Sequence, residues 1–134
     1  MKLEKQVCSL KLAKKLKELG VKQESLFYWW RCYADESDKE IWNLDYGKYY
    51  KEDGMEGMCS AFTVAELGEM LPESIDNEDG LWEKIWSART QFGEWRIALG
   101  ESHFEKAKTE AEARAKMLIY LINNKLIKLN KNNE

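Results

Sequence analysis

His103 is the only histidine in the chain, and its neighbours are the clearest candidates for chemistry. In an extended strand, Glu101, His103 and Glu105 share one face, because side chains alternate along a strand. Two carboxylates and an imidazole are ligands that transition metals accept. A polar row on the water side of an exposed strand gives the same pattern. Since no further ligand stands nearby, we favour the polar strand and predict no metal site.

Other catalytic arrangements lack the motifs that normally accompany them. Any Ser–His–Asp or Cys–His arrangement must use His103, and no Ser or Cys lies in a nucleophile motif. The eight glycines are scattered singly, so no phosphate-binding loop is present in the sequence. The acidic pairs Glu36/Asp38 and Glu52/Asp53 stand in polar segments, where carboxylates are usually just solvated. We therefore predict a protein that is not an enzyme, with no catalytic residues and no cofactor.

Cysteine usage and the N-terminal sequence indicate the compartment. Cys8, Cys32 and Cys59 are odd in number and lack CxxC spacing, which favours reduced thiols that act as small hydrophobes. Residues 1–20 contain lysines throughout and no apolar stretch typical of a signal peptide. No apolar run approaches the ~20 residues that a membrane span needs. We expect a soluble, cytoplasmic protein with no membrane contact.

Aromatic residues are concentrated in one segment, because nine of the sixteen lie within residues 27–50. Aromatic rings can stack on bases, but residues 34–58 carry eight acidic side chains against three lysines, and this charge repels phosphate. The rings can also fill the core, and we expect Trp29, Trp30 and Trp42 to be partly buried. Tyr and Trp also anchor protein interfaces. We therefore predict a surface for an unidentified protein partner or a second copy of the chain, formed by Trp29, Trp42, Tyr46, Tyr49 and Tyr50.

The uneven distribution of charge leaves nucleic acid open as an alternative partner. Residues 1–24 carry seven Lys against three Glu, and residues 114–134 carry five basic residues against one acidic one. Each end therefore has a net charge of +4, and the middle of the chain has −11 within an overall −3. Lysines at exposed chain ends are also common for reasons of solubility alone. The alternative function is nucleic-acid binding through the basic C-terminus and the lysines of the first helix: Lys11, Lys14, Lys15 and Lys17.

A helix-turn-helix would be the most specific form of that alternative. The segment from Leu12 to Trp30 resembles such a motif, in which a Gly-Val turn directs the second helix into the major groove. Here Ala13 and Gly20 are seven residues apart, where the motif requires four. The aromatic run Phe27 to Trp30 also favours a strand over a recognition helix.

Three helices are indicated by apolar periodicity and by capping residues. The first covers Ser9 to Leu19, and Gly20 is suited to end it. The second covers Thr63 to Leu71, with a capping box formed by Thr63 and Glu66, and Pro72 ends it. Phe62 and Leu67 have the spacing of a hydrophobic staple.

The third predicted helix, Thr109 to Ile122, is the longest. Thr109 and Glu112 have the spacing of a second capping box. Ala111, Ala115, Leu118 and Ile122 form one apolar stripe. Because residues 117–122 are all apolar, this end of the helix must be covered on more than one side.

Strands account for the remaining regular structure. Leu26 to Tyr33 and Ile41 to Tyr46 form the first predicted hairpin. Leu81 to Arg89 and Glu94 to Leu99 form the second, and His103 to Ala107 is a further short strand. Segments 34–40, 47–57 and 73–80 are predicted to be loops.

These elements predict an α+β fold, an antiparallel sheet of about four to six strands with two or three helices packed on it. We expect one domain over residues 1–134. Residues 1–58 form the first helix and the aromatic hairpin, residues 59–127 form a helix–hairpin–helix core, and residues 128–134 form a frayed tail.

Two spaced motifs carry a resemblance to a known group of proteins. AFTVAELGEMLP (Ala61–Pro72) and TEAEARAKMLIYLI (Thr109–Ile122) bracket a tryptophan-rich hairpin. Together with the N-terminal segment Glu4–Trp30, they resemble small, uncharacterised phage- and prophage-encoded proteins. The order of elements is also similar to that of phage ABA-sandwich domains. The resemblance implies a phage accessory protein with no assigned activity, acting in the host cytoplasm on a host or phage protein.

Overall fold

The computed structural model describes residues 2–33, 40–47, 57–76 and 80–129. They form an α+β fold with three helices and two antiparallel sheets, so the predicted class is confirmed. The helices are α1 (Leu10–Glu18), α2 (Val64–Met70) and α3 (Glu110–Asn123), and a 3₁₀ turn precedes them at Leu3–Lys5. The strands are β1 (Phe27–Tyr33), β2 (Glu40–Tyr46), β3 (Met58–Ser60), β4 (Ser74–Asp76), β5 (Trp82–Arg89), β6 (Trp95–Leu99) and β7 (His103–Ala107).

Side-chain caps begin all three helices. Ser9 caps α1 and Thr63 caps α2, each by accepting from a backbone N–H three residues further on. On α2 the full capping box is present, because Glu66 also accepts from the backbone N–H of Thr63 at 2.9 Å. The same carboxylate accepts from the backbone N–H of Leu26 at 3.0 Å, which ties the entry of β1 to the start of α2.

The predicted capping box of α3 is only half correct. Thr109 accepts from the backbone N–H of Glu112, as expected. The carboxylate of Glu112 does not return to Thr109, and instead accepts from the backbone N–H of Ser9. It therefore joins the starts of α1 and α3, a contact between residues far apart in sequence that local spacing cannot reveal.

The first sheet has the strand order β2-β1-β3. The hairpin of β1 and β2 is confirmed, with Trp29 opposite Leu44 and Arg31 opposite Trp42. Strand β3 was not predicted, because Met58–Ser60 is too short to show a period, and it pairs with the other edge of β1. The central position of β1 explains why both of its faces are apolar.

The second sheet has the strand order β4-β5-β6-β7. The hairpin of β5 and β6 and the short strand β7 are confirmed. The prediction of a loop over residues 73–80 is wrong for Ser74–Asp76, which forms β4 and pairs with β5. The signal there is one buried residue, Ile75, inside a polar segment. The seven strands therefore form two sheets of three and four rather than one.

Helix α3 lies at the centre of the core. It packs against β6 and β7 and contacts both α1 and α2. Met117, Leu118 and Leu121 are fully buried, so the prediction that this end of the helix is covered on more than one side is confirmed. Phe62 and Leu67, the predicted staple residues, are buried in the same cluster.

Candidate functional site

His103 and Glu105 are brought together, but as part of the packing of β7. The His103 Nε2 and the Glu105 Oε2 are 2.5 Å apart. The imidazole stacks on the ring of Tyr120 from α3, with centroids 3.6 Å apart and planes within 7°. Glu101 lies in the exposed turn before β7. Among the described residues, no group of three or more His, Cys, Asp or Glu side chains is placed to hold a metal ion.

The two described thiols lie in the core. Cys8 and Cys59 are buried and free, which confirms that they act as small hydrophobes. Burial raises the pKa of the Cys8 thiol from 9.0 to about 12 and that of Cys59 to about 11. Both thiols are therefore protonated at neutral pH, and neither is a thiolate nucleophile.

The aromatic residues of the first hairpin serve mainly as packing. Trp29, Trp30 and Trp42 are partly buried, as expected. The Trp29 Nε1 donates to the backbone oxygen of Cys8 at 3.1 Å, and the ammonium of Lys14 lies 4.6 Å from the centre of the Trp42 ring. Tyr46 is 65% exposed and packs edge-on against Phe27. The remaining predicted interface residues, Tyr49 and Tyr50, and the acidic segments 34–39 and 48–56 lie outside the described residues.

The lysines of α1 do not form a single surface. Lys11, Lys14 and Lys15 line a cleft of about 540 Å³ between α1 and α3, where Lys116 joins them. Lys17 points elsewhere, and its Nζ donates to the backbone oxygen of Met58 at 2.6 Å. Phe27–Trp30 lies in β1, so the segment is not a helix-turn-helix.

The second sheet has one covered face and one that carries exposed rings. Residues paired across neighbouring strands lie on the same face. Ile85, Leu99 and His103 are paired in one row, and this face packs on α3. The opposite face, here called the outer face, comprises Ser74 and Asp76 of β4, Trp82, Lys84, Trp86 and Ala88 of β5, Arg96 and Ala98 of β6, and Phe104 and Lys106 of β7.

Three aromatic rings of the outer face are exposed. Trp82 is 70% exposed, Trp86 44% and Phe104 43%. Trp86 and Phe104 stand on either side of Ala98, which is directly opposite both of them. Ala98 is only 2% exposed although it lies outside the core cluster, because the larger neighbouring side chains cover it. The small side chain therefore lies covered between the two rings.

Cations lie between these rings. Lys84 separates Trp82 from Trp86 along β5. The guanidinium carbon of Arg96 lies 3.8 Å from the centre of the Phe104 ring, a stacked cation–π contact. The ammonium of Lys106 lies 6.0 Å from the same ring. Among the described residues of the outer face, Asp76 is the only acid, so the face has a positive charge within a chain of net charge −3.

The outer face was not predicted from the sequence. We considered how many aromatic residues a segment contains and did not consider which face of a strand carries them. The segment 27–50 contains most of the rings, whereas β5 and β7 contribute three. A signal was nevertheless present, because Trp82, Lys84 and Trp86 alternate at the spacing of one strand face.

Comparison with protein-family models, with curated proteins and with solved structures finds no match for this chain. In the part of the chain that the structure describes, no helix has the length and apolar character needed to cross a lipid bilayer.

Proposed function

We propose that this protein binds single-stranded nucleic acid on the outer face of its four-stranded sheet. The observation that carries the proposal is the set of three exposed rings, Trp82, Trp86 and Phe104, interleaved with cations on one face of the sheet. Exposed rings that stack on bases and basic side chains that contact the backbone are the common means of binding single strands.

The spacing of the rings suits an unpaired strand. Trp82 and Trp86 are four residues apart on β5, which is about 13 Å at the usual rise of a strand. Trp86 and Phe104 are separated by one intervening strand, or about 10 Å. These separations exceed the stacking distance within a duplex, so each ring can receive a base only when the bases are unstacked and splayed.

Charge separates this face from the aromatic hairpin. Lys84, Arg96 and Lys106 bring three positive charges among the rings, against one carboxylate from Asp76. The sequence around the hairpin is acidic, with eight acidic residues against three lysines in residues 34–58. A phosphate backbone is therefore attracted to the outer face.

Fluorescence anisotropy with a labelled oligothymidylate of about ten nucleotides tests the proposal. We expect binding that weakens as salt rises from about 50 to 200 mM, because the free energy gained when condensed cations leave the strand falls as the salt concentration rises. Trp86→Ala with Phe104→Ala should weaken binding about tenfold or more, since stacking of a base on each ring is worth roughly 1–3 kcal/mol. Lys84→Gln with Lys106→Gln should lower the salt slope by about 1.4, or roughly 0.7 for each phosphate that is no longer neutralised.

Tyr46→Ala is the matched control, because it removes an exposed ring from the other sheet. It should leave the affinity unchanged. Absence of binding at low salt, or an equal loss in the Tyr46→Ala variant, would contradict the proposal. Preference for a duplex of the same sequence would also contradict it, since paired bases cannot reach the rings.

A second candidate function is contact with a protein partner through the first hairpin. Leu26, Ile41 and Tyr46 are apolar or aromatic, and all three are exposed around β1 and β2. The partner is a host or phage protein or a second copy of the chain. Sedimentation velocity of the wild type and of Tyr46→Lys tests self-association. A protein that copurifies with the wild type but not with Tyr46→Lys would instead be a partner other than a second copy of the chain. This function would be excluded if the wild type is a monomer and no copurifying protein is lost on Tyr46→Lys.

The biological setting is a separate part of the proposal. We infer a non-enzymatic accessory protein of a phage or prophage that acts in the cytoplasm. The motifs Ala61–Pro72 and Thr109–Ile122 support this setting through their resemblance to phage-encoded proteins. The genes beside its own provide the test, because replication or recombination genes fit a single-strand binder, whereas a neighbourhood without phage genes argues against the setting.

A further inference from the structure

A second basic region lies at the opposite, helix-covered side of the second sheet. A cleft of about 1020 Å³ opens where the 3₁₀ turn at Leu3–Lys5 meets the starts of α2 and α3. Four cationic side chains from three separate segments line it: Lys2, Lys5, Arg89 and Lys108. Ligand-binding clefts commonly have volumes of roughly 300–1,000 Å³, so this cleft has the size of a small-molecule site.

The positive charge of the cleft is not neutralised by ion pairs among the residues that the structure describes. Within the described residues, none of the four cations takes part in an ion pair. The acidic residue of the lining is Glu110, whose carboxylate accepts two hydrogen bonds from the Arg114 guanidinium, at 2.6 and 2.9 Å. Glu110 is therefore already paired with a cation outside the lining.

Trp95 supplies a flat apolar wall beside the charges. It is half-buried and lies opposite Arg89 across β5 and β6, so an indole ring and a guanidinium are placed side by side. Recognition in this cleft rests on the side-chain cations and on Trp95.

We propose that this cleft binds a small molecule bearing a chain of phosphate groups. Four like charges around one cavity repel one another, and a polyanion placed among them relieves that repulsion. Phosphates attract both lysine ammonium groups and the arginine guanidinium. The site is separate from the outer face and does not depend on the function proposed for it.

Isothermal titration calorimetry of the full chain with inorganic tripolyphosphate, and separately with ATP, tests the proposal. We expect one ion bound per chain. Arg89→Glu with Lys108→Glu should weaken binding at least tenfold, because both positions are exposed and the changes reverse charge without removing core packing. The matched control is Lys11→Glu with Lys14→Glu, which changes net charge equally at the cleft between α1 and α3 and should alter affinity less than twofold.

The two probes distinguish the source of the phosphates. If ATP binds more tightly than tripolyphosphate, and Trp95→Leu lowers its affinity to that of tripolyphosphate, the ligand is a nucleotide. If the two probes bind equally and Trp95→Leu changes neither affinity, the ligand is an inorganic polyphosphate. Thermal melting of each variant checks that it folds. The proposal is overturned if neither probe binds at low salt, or if Lys11→Glu with Lys14→Glu weakens binding as much as Arg89→Glu with Lys108→Glu does. Oligothymidylate binding measured on Arg89→Glu with Lys108→Glu reports on the outer face separately.

Discussion

The two sheets use their aromatic residues in opposite ways. In the three-stranded sheet, Trp29 and Trp42 are packed against the core. In the four-stranded sheet, Trp82 and Trp86 lie on the face away from α3 and outside the core cluster. The segment with the most rings thus packs Trp29 and Trp42 against the core, whereas the segment with fewer rings exposes Trp82 and Trp86. Which face of a strand carries a ring decides its role, and the density of rings along the chain does not.

The largest expected effect concerns the helix that supports the four-stranded sheet. Leu118→Ala should lower the free energy of unfolding by about 2–5 kcal/mol, because it leaves a cavity where α3 meets β6 and β7. Urea denaturation measures the change. An unchanged midpoint would mean that α3 does not form the core of this region.

Two tryptophan substitutions test this difference between the sheets. Trp29→Ala should cost about 3 kcal/mol, because it removes a packed ring and the hydrogen bond to the backbone of Cys8. Trp86→Ala should cost less than about 1 kcal/mol, since the ring lies outside the core. Thermal or urea unfolding of the Trp29→Ala and Trp86→Ala variants measures both losses of stability. Equal losses would show that the two sheets do not differ in how they use their rings.

Alkaline pH should weaken the region behind the three-stranded sheet. The pKa of Cys8 is raised to about 12 in the folded protein, so its stabilising effect is complete below pH 9.0 and is lost as pH rises towards 12. The free energy of unfolding should fall by up to about 1.4 kcal/mol per pH unit for this thiol in that range. Urea unfolding of the wild type and Cys8→Ala across the range checks this, and identical slopes would contradict the burial of the thiol.

A smaller effect than that of Leu118→Ala or Trp29→Ala is expected at the start of α3. Thr109→Ala should cost about 1 kcal/mol through the lost cap. Glu112→Ala is the companion change, because its carboxylate joins α3 to the backbone of Ser9. A double-mutant cycle by urea unfolding compares the free-energy losses of the two single variants with that of the double variant. If the losses are not additive, the Thr109 cap and the Glu112 contact with Ser9 act as one unit; if they are additive, the two contacts are independent.

Local signals explain how much of the fold could be predicted. The caps at Thr63 and Thr109, Pro72 and the apolar period of residues 111–122 identified α2 and α3, because each signal is contained in one short, continuous segment of sequence. β3 and β4 were missed, since three residues show no period and their pairing partners are distant in sequence. The division into two sheets follows from β3 occupying the free edge of β1, which no local pattern indicates.

The candidate sites were less accessible to sequence reasoning for the same physical reason. Trp82, Trp86 and Phe104 come from two strands, and only the register across β6 places them on one face. Lys2, Arg89 and Lys108 are farther apart still, and only the folded chain brings them to one cleft. Three of the α1 lysines, by contrast, were visible as one helical face (Lys11, Lys14 and Lys15), and the structure adds Lys116 to the cleft that they line.

Photocrosslinking identifies which surface of the protein contacts a single strand. An oligothymidylate of about ten nucleotides carrying 5-iodouracil is irradiated with the protein, and mass spectrometry identifies the crosslinked residues. We expect crosslinks to Trp82, Trp86 and Phe104, and none to Phe27 or Tyr46. Crosslinks confined to the first hairpin, or none at a concentration where anisotropy shows binding, would contradict the claim that the outer face is the binding surface.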